Sequence, residues 1–329
     1  RVPILRSHSE AVNIEFENKI NTYKAIDIQP NNDDAYCNLG DIYMVTSEYK
    51  KAITAFEKAA KLNNNNLSAK YGLFVCKGSI CDWSDYNVKD SWMNNLGIIG
   101  KPLNPYHFLL YDDNPINHLK RAKKYAKKYF NKKDILDFSK RKTEKIRIGY
   151  FSADFKDHPV THVMTPLLES HNKEIFEIFL YSFSVKEDSY TNKLKNLGCI
   201  FKNISEFDEQ EIIKLVRSDN LNIAIDLMGY TGNNRYFIFR NRIAPIQINY
   251  LGFPGTMGSK FYDYIIGDKI TIPKKDEKFY TEKVLRLNHF FPPNRFIRDL
   301  ASEFSLTKKD FKIPQNAFIF TCFNAIKKI

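Results

Sequence analysis

KIRIGYFSADFKDHPVTHVMTP, residues 145–166, reads as strand, loop and helix in succession. Ile146, Ile148 and Tyr150 alternate with Arg147 and Gly149, the period of a strand. Ser152 to Pro159 is polar and carries Asp154, Asp157 and His158. Val160, Val163, Met164, Leu167 and Leu168 then recur at helical spacing, with His162 one turn into the run. Strand, loop, helix is the opening unit of an α/β sheet, and ligands of such sheets sit beyond the C-terminal ends of the strands. The titratable groups of this loop are therefore the first candidates for chemistry.

Downstream, the same alternation continues. Ile175 to Phe183, Asn222 to Met228, Ile246 to Leu251 and Tyr262 to Ile266 read as strands. Ser205 to Asp208 reads as a capping-box-like start for a helix bearing Ile212, Ile213, Leu215 and Val216. Strands alternating with helices predict a parallel sheet with helices on both faces. Three glycine-bearing loops follow those strands, at 229–235, 252–258 and 267–268. The switch-point rule puts them on the sheet edge that carries His158. Their glycines permit close approach to a ligand, or simply make turns; both readings stand at this point. Neither a GxGxxG fingerprint nor a GxxxxGK[ST] loop occurs. Residues 280–293 lead to a helix near Leu300 to Phe304, and Phe318 to Cys322 reads as the first strand of a second α/β unit.

Upstream, the pattern is helical. Tyr36, Leu39, Gly40, Tyr43, Ala52, Phe56 and Ala59 fit the 34-residue tetratricopeptide spacing. Gly40 and Ala52 let two antiparallel helices approach, and Tyr36, Tyr43 and Phe56 fill the space between them. Ile14 to Pro30 resembles the second helix of a preceding repeat, and a degenerate helix pair is expected from Leu67 to about Trp92. Because such repeats need neighbours, an array extending before Arg1 is expected. A glycine- and proline-containing linker, 93–105, and a loop then lead to an amphipathic helix near Lys120. Phe108 and Leu109 are expected to pack on the following domain, with His107 and His118 structural.

At 329 residues with a net charge of +12, from 50 Lys+Arg against 38 Asp+Glu, the chain has room for two domains and a basic surface. The charge points to an anionic partner or to scattered, solvated lysines; the scatter favours the second, and nucleic acid is not an expected partner. No apolar run reaches the roughly 18 residues of a membrane span. The five cysteines stand at unrelated spacings without a CxxC pair, which points to reduced thiols and neither a disulfide framework nor a zinc site. A cytoplasmic protein without a membrane partner is the expectation.

The segments IRIGYFSADFKDHP, FEIFLYSFS, IAIDLMGYTGNNR, APIQINYLGFPGTMGSKFYDYIIGD and FTCFNAIKKI, in this order, resemble the O-linked N-acetylglucosamine transferase family, including the SPINDLY-like glycosyltransferases. The repeat, CDWSDY and FLLYDDNP are similar to bacterial members. The resemblance implies a fold of α/β class with an N-terminal all-α tetratricopeptide array: GT-B type, first Rossmann-like domain complete and second only begun. The implied divisions are repeats at 1–80, a linker and helical transition at 81–143, the first Rossmann-like domain at 144–305 and the start of a truncated nucleotide-sugar domain at 306–329. The implied reaction moves N-acetylglucosamine from UDP-GlcNAc to Ser or Thr of proteins, with inversion. The UDP-sugar is the donor substrate; no cofactor or metal is expected. Protein or peptide acceptors are expected to be presented by the repeat array.

By the same resemblance, His158 is the active-site histidine and Lys328 the lysine that contacts the diphosphate. An ammonium can offset the negative charge building on departing UDP without a metal. Substrate contacts are implied for His162, Asp154, Asp226, Tyr230, Thr231, Pro254, Gly255, Thr256 and Asn324. Asp154 and Asp226 are equally readable as residues that fix loops. Departures are Ala325, where the family often has Gln or Asn, and Tyr230, where bacterial relatives often have His. A GDP-fucose O-fucosyltransferase, a protein N-glucosyltransferase and an inactive tetratricopeptide scaffold are the alternatives.

Overall fold

The computed structural model describes residues 26–27, 29–84, 94–110, 112–129, 144–293 and 307–320. Three consecutive helices come first: α1 (Asp33–Val45), α2 (Tyr49–Leu62) and α3 (Leu67–Ser79). Asn32 and Asn66 cap α1 and α3 by accepting from the backbone N–H of Ala35 and Ala69, each such cap contributing about 1 kcal/mol. Asn63 and Asn66 both donate to the Asp33 carboxylate, tying the end of the hairpin to its start. Phe56 is buried between the faces of α1 and α3: a methyl group on Gly40 would come within 2.7 Å of its ring, and one on Gly72 within 2.4 Å. Tyr36 and Tyr43 pack at the margin of this core, half-buried. From Leu67 the single helix α3 is described where a helix pair was expected. The half-repeat at 14–30 lies largely outside the described residues.

The linker is anchored. Leu96 is buried, and the buried Arg121 donates to the Leu96 carbonyl at 2.7 Å and pairs with Asp112 at 2.5 Å. The guanidinium lies 4.2 Å from the Phe108 ring, which in turn stacks on Tyr71 of α3. Phe108 thus packs against the helical part, whereas Leu109 packs on the sheet as expected. The His118 imidazole meets the Asp112 carbonyl. A 3-10 turn at Pro105–Leu110 leads to α4 (Pro115–Tyr129).

Seven parallel strands follow: β1 (Ile146–Ser152), β2 (Phe176–Ser182), β3 (Ile200–Asn203), β4 (Ile223–Asp226), β5 (Ile246–Asn249), β6 (Tyr264–Asp268) and β7 (Lys283–Leu287). Their spatial order is β3-β2-β1-β4-β5-β6-β7. The order reverses between β1 and β4, where Phe151 pairs with Asp226. That reversal opens a crevice beyond the strands' C-terminal ends.

On one face α5 (Pro159–Ser170) and α6 (Ser189–Lys195) cover Ile148, Tyr150, Ile178, Leu180 and Ile225. On the other, α7 (Glu209–Ser218) covers Phe179, Tyr181 and Ala224. The capping box of α7 is made by Asp208 and Glu211.

Beyond β4 the expected alternation with α-helices fails. The connections are 3-10 turns at Tyr236–Asn241 and Lys274–Phe279, or loops. The reason is that α4 already covers this half: Tyr125 and Ala126 share a core with Tyr230, Phe239, Met257 and Tyr262. A helix from before the sheet does the work of a crossover helix. The short α6 and β3, and the edge strand β7, were not anticipated.

The expected strand at 318–322 is not formed by its described part. The rings of Phe318 and Phe320 lie 4.8 Å apart, tilted and exposed, and Phe318 to Phe320 join no strand among the described residues. A strand forms only against a neighbour that satisfies its backbone. The helix expected at 300–304 lies outside the described residues. Among the described residues no helix is long and apolar enough to cross a membrane.

Candidate active site

β1 ends at Ser152, and the chain must then turn through Ala153–His158 to start α5. Two interior residues, Ala153 and Phe155, point this loop's apolar atoms into the core. Its polar atoms are tied from both sides. Ser152 Oγ accepts from the Asp154 backbone at 3.0 Å. Thr161 on α5 donates to the Asp154 carbonyl, and Thr191 on α6 donates to the Phe155 carbonyl at 2.8 Å. The Asp188 carboxylate, N-cap of α6, accepts from the Asp157 N–H at 2.7 Å. The loop is thus preorganised by two helix starts. Sequence reasoning missed Asp188 and Thr191, although Asp188 followed three residues later by Thr191 was a readable helix-start signal.

His158 is the N-cap of α5, and Pro159 opens the helix. The imidazole Nδ1 accepts from the Val160 N–H at 3.2 Å and lies 3.6 Å from Asp154 Oδ2. The two contacts demand opposite states of Nδ1. Accepting from Val160 fixes the neutral tautomer with its proton on Nε2; donating to Asp154 requires a proton on Nδ1. The His158 side chain is 39% exposed and that of Asp154 17%. Burial pushes the Asp154 carboxyl above its usual range, opposed by His158 and Lys156. His162 faces outward: its Nε2 meets Asp157 Oδ1 at 2.9 Å, and its ring stands edge-on to Tyr190 of α6.

The next loops are joined to this one in series. Ser152 Oγ donates to Met228 Sδ at 3.4 Å. Beyond β4, Asp226 is fully buried; its Oδ1 accepts from the N–H groups of Met228 and Gly229, and its Oδ2 from Tyr262 Oη at 2.7 Å. Burial raises its pKa against those three hydrogen bonds. Every bond is internal, so Asp226 fixes the loop, the second of its two sequence readings. Gly229 adopts φ +55°, and a side chain there would strike Phe253 at 2.6 Å.

Tyr230, expected at the substrate, is a core residue instead. It is enclosed by Tyr125, Tyr236 and Phe253, and its hydroxyl donates to the Met257 carbonyl at 2.7 Å. Its aromatic body is drawn inward because α4 supplies an apolar partner there. Thr231 is half-buried, with its hydroxyl on the Met228 carbonyl. Arg235 donates to the carbonyls of Ile204 and Ser205, pinning the far end of this loop beside β3.

Beyond β5, Asn249 donates to the Phe253 and Gly255 carbonyls. Pro254 is exposed, with its carbonyl receiving the Tyr280 hydroxyl at 3.2 Å, and Gly255 is half-buried. Thr256 is buried, and its hydroxyl donates to Glu282 at 2.7 Å. Gly258 adopts φ +63° and lies against the α4 backbone: an added side chain would come within 2.3 Å of Ala122. Gly229 and Gly258 are therefore needed for packing within the chain, at backbone angles that favour glycine. Asn104 of the linker donates to the Tyr230 carbonyl at 2.9 Å, and Tyr106 lies edge-on to Phe253.

Of the sequence candidates, then, His158 and Asp154 meet at the crevice, with Thr231, Pro254 and Gly255 on adjoining loops of the same edge. His162 flanks it, and Asp226, Tyr230 and Thr256 lie beneath it as supports. Asn324 and Lys328 lie outside the described residues. Polar, half-exposed groups over a rigid, buried base suit the binding of a polar substrate.

Comparison with known proteins places the chain in a family. Residues 80–305 match the family model described as Glycosyl transferase family 41, and residues 33–66 match the tetratricopeptide repeat. A probable UDP-N-acetylglucosamine–peptide N-acetylglucosaminyltransferase SEC of Arabidopsis thaliana is 30% identical over 275 residues, 76% of this chain and 28% of that protein. A UDP-N-acetylglucosamine–peptide N-acetylglucosaminyltransferase of Caenorhabditis elegans is 32% identical over 234 residues, 64% of this chain and 20% of that one. A solved structure of a mutant Thermobaculum terrenum O-GlcNAc transferase superposes with a TM-score of 0.61 at 25% identity, covering 83% of this chain and 54% of its own. The chain thus spans only part of the proteins it matches. Its helical repeat and parallel sheet are those of a GT-B glycosyltransferase, and the chain belongs to glycosyl transferase family 41.

Proposed function

We propose that the protein transfers N-acetylglucosamine from UDP-GlcNAc to Ser or Thr hydroxyls of proteins, with inversion at the anomeric carbon. The observation that carries this reading is His158, capping α5 beside Asp154 at the switch point, in a chain of family 41. The acceptor oxygen attacks the anomeric carbon and gives up its hydroxyl proton to water, the bond from that carbon to the phosphate oxygen breaks, and UDP leaves with the electron pair. The Val160 N–H holds the neutral His158 ring with its proton on Nε2, so the ring acts as a hydrogen-bond donor to an oxygen of the reacting sugar or acceptor. Asp154 lies beside the ring without bonding Nδ1 in this tautomer, and Lys328 is assigned to the departing diphosphate. Thr231, Pro254 and Gly255 contribute the adjoining wall, with His162 and Asn324 as further substrate contacts. The tetratricopeptide part presents protein acceptors to the crevice, and the reaction takes place in the cytoplasm. The domain divisions at 80, 143 and 305 belong to the same proposal, amended by the packing of α4 on the sheet.

The test is His158→Ala in the full-length protein, assayed for transfer to a protein acceptor. Turnover is expected to fall at least about a hundredfold, with the affinity for UDP within a few fold of wild type. Unchanged turnover would remove His158 from the reaction.

A further inference from the structure

Glu282 is the first buried residue of the segment entering β7, and its carboxylate lies under the loop that follows β5. Its Oε1 accepts from the Met257 N–H at 2.7 Å and its Oε2 from Thr256 Oγ1 at 2.7 Å. Thr256 Oγ1 in turn accepts from the N–H groups of Gly258 and Thr281, both at 3.1 Å, and meets Thr281 Oγ1 at 3.1 Å. One carboxylate and one hydroxyl therefore organise the backbone of 256–258. Pro254 and Gly255, the exposed and half-exposed part of the loop, follow from that anchorage.

A carboxylate this deep costs stability. Burial pushes the Glu282 pKa up, and hydrogen bonds from Thr256, Met257 and Thr281 oppose the shift. The groups facing it include Tyr230, Tyr262 and Tyr280. No guanidinium or ammonium is among them. A residue chosen for stability alone would be apolar here. What the carboxylate uniquely supplies is two acceptors for two convergent donors, with no donor of its own.

We propose that Glu282, acting through Thr256, is the positioning residue that sets the Pro254–Gly258 loop at the mouth of the transfer site. The proposal rests on the transferase reading above. Glutamine cannot replace it: its amide NH2 would confront either the Met257 N–H or a Thr256 oxygen that already accepts twice.

The experiment compares Glu282→Gln, Thr256→Val and Thr256→Ser in the full-length protein by transfer kinetics, melting temperature and hydrogen exchange over residues 253–259. Glu282→Gln and Thr256→Val are each expected to lower kcat/KM about tenfold or more at temperatures well below melting, and to speed exchange over 253–259. Thr256→Ser, which keeps the hydroxyl, is expected to stay near wild type. The double variant is expected to be no worse than the worse single one, because both remove one device. Faster exchange with unchanged kinetics would make Glu282 merely structural and overturn the proposal, as would unchanged exchange in Glu282→Gln. A wild-type protein that transfers no sugar while Glu282→Gln still loosens the loop would instead sink the transferase reading.

Discussion

A backbone N–H decides what His158 can do. Helix α5 needs an N-cap, and an imidazole Nδ1 that meets that need holds its proton on Nε2. The residue next most suggestive from sequence, Asp226, has the opposite fate: both oxygens are consumed internally. Replacing it makes a sharp contrast with His158. Asp226→Ala leaves two backbone N–H groups and the Tyr262 hydroxyl unpaired in the interior, and is expected to cost on the order of 3 kcal/mol in urea unfolding. His158→Ala, at a half-exposed position, is expected to cost only about 1 kcal/mol in unfolding, the worth of a helix cap, while lowering turnover at least about a hundredfold. A stable, inactive Asp226→Ala would instead give Asp226 a direct part in the chemistry. Sequence could place both residues on the right sheet edge, but not say which one the interior had claimed. That depended on Tyr262, 36 residues away.

Among elements, those with a strong period were legible and those without were not. The alternation in Ile146–Tyr150 and the apolar run 222–228 gave β1 and β4, and the tetratricopeptide spacing gave α1 and α2. Helix α6, polar and seven residues long, and β3, four residues long, carry too few apolar positions to show a period. In the repeat, Asp41 adds a feature invisible to spacing. It is half-buried beside Cys37 and Cys76, and burial raises its pKa to about 6, with Lys101 of the linker opposing. The same burial, with Asp41 contributing, pushes both thiols up to about 12. A folded pKa above the unfolded value means that the charged form is the destabilising one. The penalty is absent below the unfolded value of 3.8, grows through about 6, and is complete above it. Asp41→Asn is therefore expected to raise the melting temperature of the helical part at pH 8 and to change it little at pH 4. A loss of stability at pH 8 would show that the charge has a partner worth more than its burial costs.

At the scale of the molecule, the unexpected feature is α4. By sequence it belonged to a transition between two units; in the fold it supplies the cover that the missing crossover helices would have given. Arg121 holds it to the linker, Gly258 admits its backbone, and Tyr125 meets Tyr230. The repeat and the sheet are consequently joined through packed side chains: Tyr71 on Phe108, Phe108 under Arg121, Tyr106 against Phe253. No local pattern could reveal this, because the pairing of α4 with the loops spans more than a hundred residues. The chain spans 28% of the Arabidopsis relative and 54% of the solved Thermobaculum enzyme. Donor binding must therefore be measured on the full-length protein. The decisive measurement is calorimetric titration of UDP-GlcNAc, UDP and GDP-fucose into it. The account expects saturable binding of UDP-GlcNAc and UDP and none of GDP-fucose. Binding of GDP-fucose in their place, or of no nucleotide at all, would contradict it.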